Sequence, residues 1–150
     1  AQVPHPQPGW DKQLDRSMNP AWARKFEPAS ITGGESQSVM RALLTVYRFT
    51  GEKRYVDTLP QALAYYRRSL LSDGRLARFY ELRTNRPLYF TKDYQLTYSD
   101  AVMPTHYGFQ VGSKLDSIQR QLRQLLSSPA AQLNPVHQLT LPAVMSNHLA

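Results

Sequence analysis

The feature that most limits the fold is a change of hydrophobic period at Asp73-Gly74. Before that dipeptide, apolar residues recur at three- and four-residue spacing. After it, short runs rich in arginine and tyrosine take over. A three- to four-residue period puts one apolar stripe on a helix, and that stripe must find a partner. Val39, Met40, Leu43, Leu44 and Tyr47 share one face of a helix predicted over 36–49. Gly33-Gly34 precede it and Gly51 ends it. Glu35 and Ser36 stand at its start, where acceptors satisfy free backbone N–H groups. Leu59, Leu63, Tyr66 and Leu70 mark a second helix over 58–72, with Thr58 as cap and Pro60 in its first turn. The short link at Gly51-Glu52-Lys53 favours an antiparallel pair of helices. Leu115, Ile118, Leu122 and Leu125 predict a third helix over 114–126.

Beyond Gly74 the pattern suits strands. Residues 75–81 and 87–90 read as two strands around a turn at Asn85-Arg86-Pro87, and 95–98 adds a third short strand or an extended loop. Residues 103–112, with Pro104, Gly108 and Gly112, read as a loop. At the front, three prolines in 1–9 suggest an extended lead-in, and 11–23 is weakly helical with a turn at Asn19-Pro20. After Pro129 the periodicity decays. The expected organisation is a lead-in over 1–10, a folded portion over 11–126 and a loosely packed tail over 127–150. A chain that opens on Ala1 is expected to be a mature product or a piece of a longer protein.

The charge narrows the partners. Lys and Arg number 18 against 11 Asp and Glu, a net charge of +7, and 13 of the 18 are arginine. Arginine's rigid fork matches carboxylate and phosphate oxygens. An acidic sugar polymer, a nucleic acid or an anionic surface would suit that excess; a merely basic globular protein would show it too. The absence of cysteine excludes disulfides and thiolate metal sites. No apolar run approaches the roughly 20 residues of a membrane span. His5, His106, His137 and His148 have no metal-ligand spacing, and no phosphate loop or nucleophile elbow occurs.

Two constellations remain. Arg24, Glu27 and Glu35 crowd the entrance of the first helix, either as a structural ion pair or as an arginine held for an anionic ligand. Arg75, Arg78, Arg83 and Arg86 interleave with Phe79, Tyr80, Tyr89, Tyr94 and Tyr98, either as a solvated sheet face or as a stacking surface for sugars or bases. His106 and Tyr107 lie in the turn-rich run that follows.

The strings RKFEPASITGGE (24–35), DGRLARFYEL (73–82), NRPLYF (85–90) and PTHYGF (104–109) resemble, in that order, the C-terminal part of pectate lyases of polysaccharide lyase family 10. PQPGW (6–10) resembles the segment leading into it, so the resemblance covers about 6–114. It implies a mainly α fold: part of an (α/α) toroid or barrel of helical hairpins, with a short antiparallel β-hairpin at the cleft. It implies secreted or periplasmic enzymes that cleave polygalacturonate by calcium-assisted β-elimination with an arginine base. That role falls on Arg24, because ARKFE (23–27) resembles the family's ARxYE segment. Arg86 would bind a substrate carboxylate. Arg75, Arg78, Tyr80, Tyr98, His106 and Tyr107 would make subsite contacts, and Glu27 and Glu35 would support the site. The family's domain is about twice this length, and its calcium ligands lie in the half this chain lacks, so no metal ligand is expected here. Association with that N-terminal half is the implied way to cover the helices' apolar stripes.

The leading expectation is thus the C-terminal portion of a pectate lyase, with pectate as partner and calcium supplied elsewhere in the parent. A non-catalytic module that binds acidic polysaccharide is the second reading. A basic, aromatic nucleic-acid-binding domain is the third, although neither nucleic acid nor membrane is the expected partner.

Overall fold

A computed structural model describes residues 7–128. In chain order it contains β1 (Ser30–Thr32), α1 (Gly34–Thr50), a 3-10 turn (Lys53–Tyr55), α2 (Leu59–Arg68), β2 (Leu76–Ala77), β3 (Phe79–Glu81), β4 (Pro87–Phe90), β5 (Leu96–Thr97), β6 (Gln110–Val111) and α3 (Leu115–Ser127). The expected tail lies, from residue 129 onward, outside the described residues, as does the lead-in over 1–6. No helix among the described residues is long and apolar enough to cross a membrane.

The strands form two antiparallel sheets, one ordered β1-β3-β4-β5 and one pairing β2 with β6. Ile31 lies opposite Tyr80, Phe79 opposite Leu88, and Leu76 opposite Val111. Successive strand residues point to opposite faces. Tyr80 therefore joins the larger core, with Met40, Leu44, Tyr47, Leu59, Tyr66, Leu76, Leu115 and Ile118. Phe79 joins a second, mostly aromatic cluster with Leu88, Tyr89, Phe90 and Phe109, against which Phe26, Tyr94 and Tyr107 pack.

This mixed α/β architecture corrects the expected mainly α toroid: among the described residues no ring of helical hairpins exists. The three helices bury their stripes against strand residues Ile31, Leu76, Ala77 and Tyr80, and α3 lies against both α1 and α2. The stripes expected to lie bare are covered within the chain: Met40, Leu44, Leu59 and Ile118 are fully buried. α2 also stops at Arg68, so Leu70 falls outside it and is partly exposed.

Local chemistry accounts for the other departures. Segment 11–23 is a tight hairpin, not a weak helix. Leu14 bridges Pro20, and the Asp15 carboxylate accepts the N–H groups of Ser17 at 2.8 Å and Asn19 at 2.9 Å. Such an aspartate competes with helical bonding and closes turns instead. Gly51 ends α1 at φ 70°, the left-handed position glycine takes at little cost. Neither Gly33 nor Thr58 caps its helix through a side chain. Ser36 does not cap α1 either; its Oγ accepts the Trp10 N–H at 3.0 Å and donates to the Trp10 carbonyl at 3.1 Å. The same carbonyl accepts from the N–H and the hydroxyl of Thr32, both at 2.9 Å. The back of the lead-in is therefore stitched to β1 and α1, and Lys12 is carried with it.

Candidate functional site

Glu27 is the centre of the site. Its side chain is 2 % exposed, yet it is not an isolated buried charge. The Arg24 guanidinium grips it with two bonds, Nε to Oε2 at 2.8 Å and Nη2 to Oε1 at 2.6 Å. The Lys12 ammonium bonds the same Oε1, and the Tyr107 hydroxyl donates to it at 3.2 Å. The Arg24 side chain is 62 % exposed, so its remaining donors reach solvent. Paired forks of this kind fix geometry as well as charge. The Arg24 bonds, and then Lys12, overcome burial and hold the Glu27 carboxyl down at about 2.

Arg78 approaches the same tyrosine from another direction. Its guanidinium carbon lies 4.9 Å from the Tyr107 ring centroid. Its Nε donates to the Gly108 carbonyl, and its Nη1 to Glu35 Oε1 at 3.1 Å. The backbone is tied as well: the Arg78 N–H reaches the Phe109 carbonyl at 2.7 Å, and the Arg78 carbonyl receives the Gly33 N–H at 2.9 Å. Gly33 is needed for that approach, since a Cβ there would collide with the Ala77 carbonyl oxygen. Glu35 also lies 3.9 Å from Lys12, while its second oxygen, Oε2, is buried without a hydrogen-bond partner.

Three cations (Lys12, Arg24, Arg78) therefore meet two carboxylates (Glu27, Glu35) around one phenol. Asp11, close enough to Glu35 for the two carboxylates to repel, brings a third acidic group, so it is the free donors of Arg24 rather than a surplus of charge that stand open to an additional anionic group. Burial pulls on the Lys12 ammonium, but its bonds to Glu27 and Tyr107 win and raise its pKa. The bonds to Glu27 likewise raise that of Arg24.

The other expected residues are distributed unevenly. Arg24, Arg78, Tyr107, Glu27 and Glu35 converge. His106 is exposed beside them, its Nε2 3.3 Å from the Tyr94 hydroxyl and its ring 6.0 Å from Phe26. Arg86 forms a separate constellation on the sheet, 3.4 Å above the Tyr98 ring, while the Tyr98 hydroxyl donates to Glu81 at 2.6 Å. The two groups have no contact in common. Arg75 locks its own turn through Asp73 at 2.7 Å. Tyr80 is 1 % exposed; its hydroxyl donates to the Ser69 carbonyl at 2.6 Å and accepts the Ala77 N–H at 2.9 Å. It holds the interior together and offers no atom to a polymer.

Lys12 was missed by sequence reading, because nothing local links a lead-in lysine to Glu27. Arg78 was singled out with the arginine- and tyrosine-rich run, as a subsite contact.

The described carboxylates do not suit a calcium ion. Glu27 is consumed by Arg24, Lys12 and Tyr107, and Asp11 caps the Ser30 N–H at 3.1 Å. No three acidic or histidine residues among the described ones are grouped to hold a metal. Calcium prefers six to eight oxygen ligands, and here ammonium and guanidinium groups already occupy that space. Comparison with protein-family models gives no match for this chain, and comparison with curated proteins gives none either.

Proposed function

We propose that this chain forms the uronate-binding part of a pectate-lyase-type active site that acts on polygalacturonate by β-elimination. One observation carries the reading: Lys12 bonds the Tyr107 hydroxyl, Arg78 lies against its ring, and Arg24 joins them through Glu27 with donors still open to solvent. A galacturonate carboxylate is the anion that the spare donors of such a cluster would hold.

The chemistry asks little else of these residues. The C5 proton passes to a base. The electrons of the C5–H bond form the C4=C5 double bond, and the C4–O4 bond breaks. O4 leaves with that bonding pair and takes a proton from solvent. Charge builds on the C5 carboxylate as the proton departs, and fixed cations around it stabilise that charge without reorganising. Arg24 and Lys12 suit this clamp. Arg78 suits the base, because both its backbone groups and two of its three guanidinium nitrogens are fixed on a strand junction. Among the described residues no group of acidic or histidine side chains is arranged to hold calcium at the cluster. A substrate of this kind belongs outside the cytoplasm, in keeping with a secreted or periplasmic protein.

One competing reading is a module that binds acidic polysaccharide without cleaving it, since both candidate bases, Arg24 and Arg78, are ion-paired with carboxylates. The test is the ultraviolet absorbance of unsaturated uronate, with polygalacturonate, with and without calcium. Absorbance that rises with wild type and not with Arg78→Ala supports the lyase. A flat trace with retained polymer binding supports the module. A flat trace without binding overturns both.

A further inference from the structure

Beside the cation cluster the chain holds a bulky residue in an unfavourable backbone conformation. Tyr94 has φ 62°, the left-handed region that crowds a Cβ. There a Cβ sits too close to the following carbonyl oxygen, a cost every residue but glycine bears. The turn itself does not ask for tyrosine: its bonds, Tyr94 N–H to the Thr91 carbonyl and Thr91 N–H to the Gln95 carbonyl, both 2.9 Å, use only backbone. Glycine would serve there with less strain.

What tyrosine adds is a ring at a chosen place. It stacks on Phe26 with centroids 5.7 Å apart and planes 26° from parallel. Phe26 in turn lies 4.5 Å from the Tyr107 ring and under the Arg24 guanidinium at 5.4 Å. An aromatic row, Tyr94–Phe26–Tyr107, thus leads from the surface into the cluster. Its outer end carries two exposed polar groups, Lys25 with Nζ 5.9 Å from the Tyr94 centroid and His106 at the Tyr94 hydroxyl.

We infer that Tyr94 is a stacking subsite for the sugar ring next to the one whose carboxylate Arg24 and Lys12 hold, with Lys25 facing that second ring's carboxylate. The inference rests on the galacturonan reading. An aromatic face receives the C–H face of a pyranose, and a flanking ammonium takes its acid group. The ligand is then a polyuronate of at least two residues, bound across both subsites.

The test compares galacturonic acid with tetragalacturonate by NMR titration of the full chain, using wild type, Tyr94→Gly and Tyr94→Phe. Tyr94→Gly removes the ring and relieves the backbone, so strain relief offsets part of the packing lost on Phe26, and thermal unfolding checks that the variant remains folded. The expected result is a loss of about three- to tenfold in tetragalacturonate affinity, the worth of one aromatic contact, with monosaccharide affinity unchanged and Tyr94→Phe near wild type. Equal tetragalacturonate affinity in Tyr94→Gly and wild type would overturn the subsite and leave the cluster standing. Failure of wild type to bind either sugar would overturn the galacturonan reading, and the subsite with it.

Discussion

Tyr107 donates a 3.2 Å hydrogen bond to Glu27, which precedes it by 80 positions, and that bond joins two halves of one site. Arg24 and Lys12 arrive with Glu27; Arg78 arrives beneath the Tyr107 ring.

Glu27 makes stability depend on acid. Its carboxyl falls from 4.5 in the unfolded chain to about 2 in the fold. A depressed carboxyl stabilises the fold above its unfolded pKa, and that stability drains as pH drops toward the folded value. Urea titrations across that range are expected to show wild type losing about 2–3 kcal/mol through this group. Glu27→Gln should be less stable at neutral pH and flatter across the acid range. An equal pH slope in the two proteins would remove Glu27 from this role.

Tyr80 and Arg24 separate structure from binding. Tyr80→Phe leaves the Ser69 carbonyl and the Ala77 N–H unpaired in the core. The expected cost is about 1–3 kcal/mol by chemical denaturation, with pectate affinity unchanged. Arg24→Ala should differ by weakening pectate binding about tenfold, and it should also lower stability at neutral pH, because it strips the buried Glu27 carboxylate of its main partner.

Gly33→Ala tests how Arg78 is held. A side chain there meets the Ala77 backbone, which cannot swing aside as a flexible side-chain tip would. Denaturation should show a loss of about 2–3 kcal/mol, and the same variant should weaken pectate binding because the Arg78 strand shifts. Wild-type stability would mean that the junction yields more readily than its bonds imply.

If lyase activity is present, Arg78 and Arg24 should fail differently. Arg78→Lys keeps the charge but loses the fork that fixes it; kcat should fall about a hundredfold with little change in KM. Arg24→Lys should raise KM more than it lowers kcat. The opposite split would return the proton-accepting role to Arg24.

What the amino-acid pattern could reveal divides along physical lines. The helices were legible because Val39 to Tyr47, Leu59 to Tyr66 and Leu115 to Leu125 repeat at helical spacing, and glycine marks the end of α1. The β3–β4 hairpin was legible from the turn before Pro87. Strands β1 and β6 were not, because three and two residues carry no period and their partners lie far along the chain. The toroid failed for a related reason. An apolar stripe states that a helix buries a face and is silent on whether helix or strand covers it. Site residues behaved alike: Arg24 and Glu27 are three apart and stood out, whereas Lys12 reaches Glu27 only through the Trp10 bonds to Thr32 and Ser36.

The most direct measurement is calorimetric titration with tetragalacturonate and with its fully methyl-esterified form, for wild type and Arg24→Ala. Cations that bind through the uronate carboxylate predict wild-type affinity at least about tenfold higher for the free acid, with most of that preference gone in Arg24→Ala. Equal wild-type affinity for acid and ester would contradict the account.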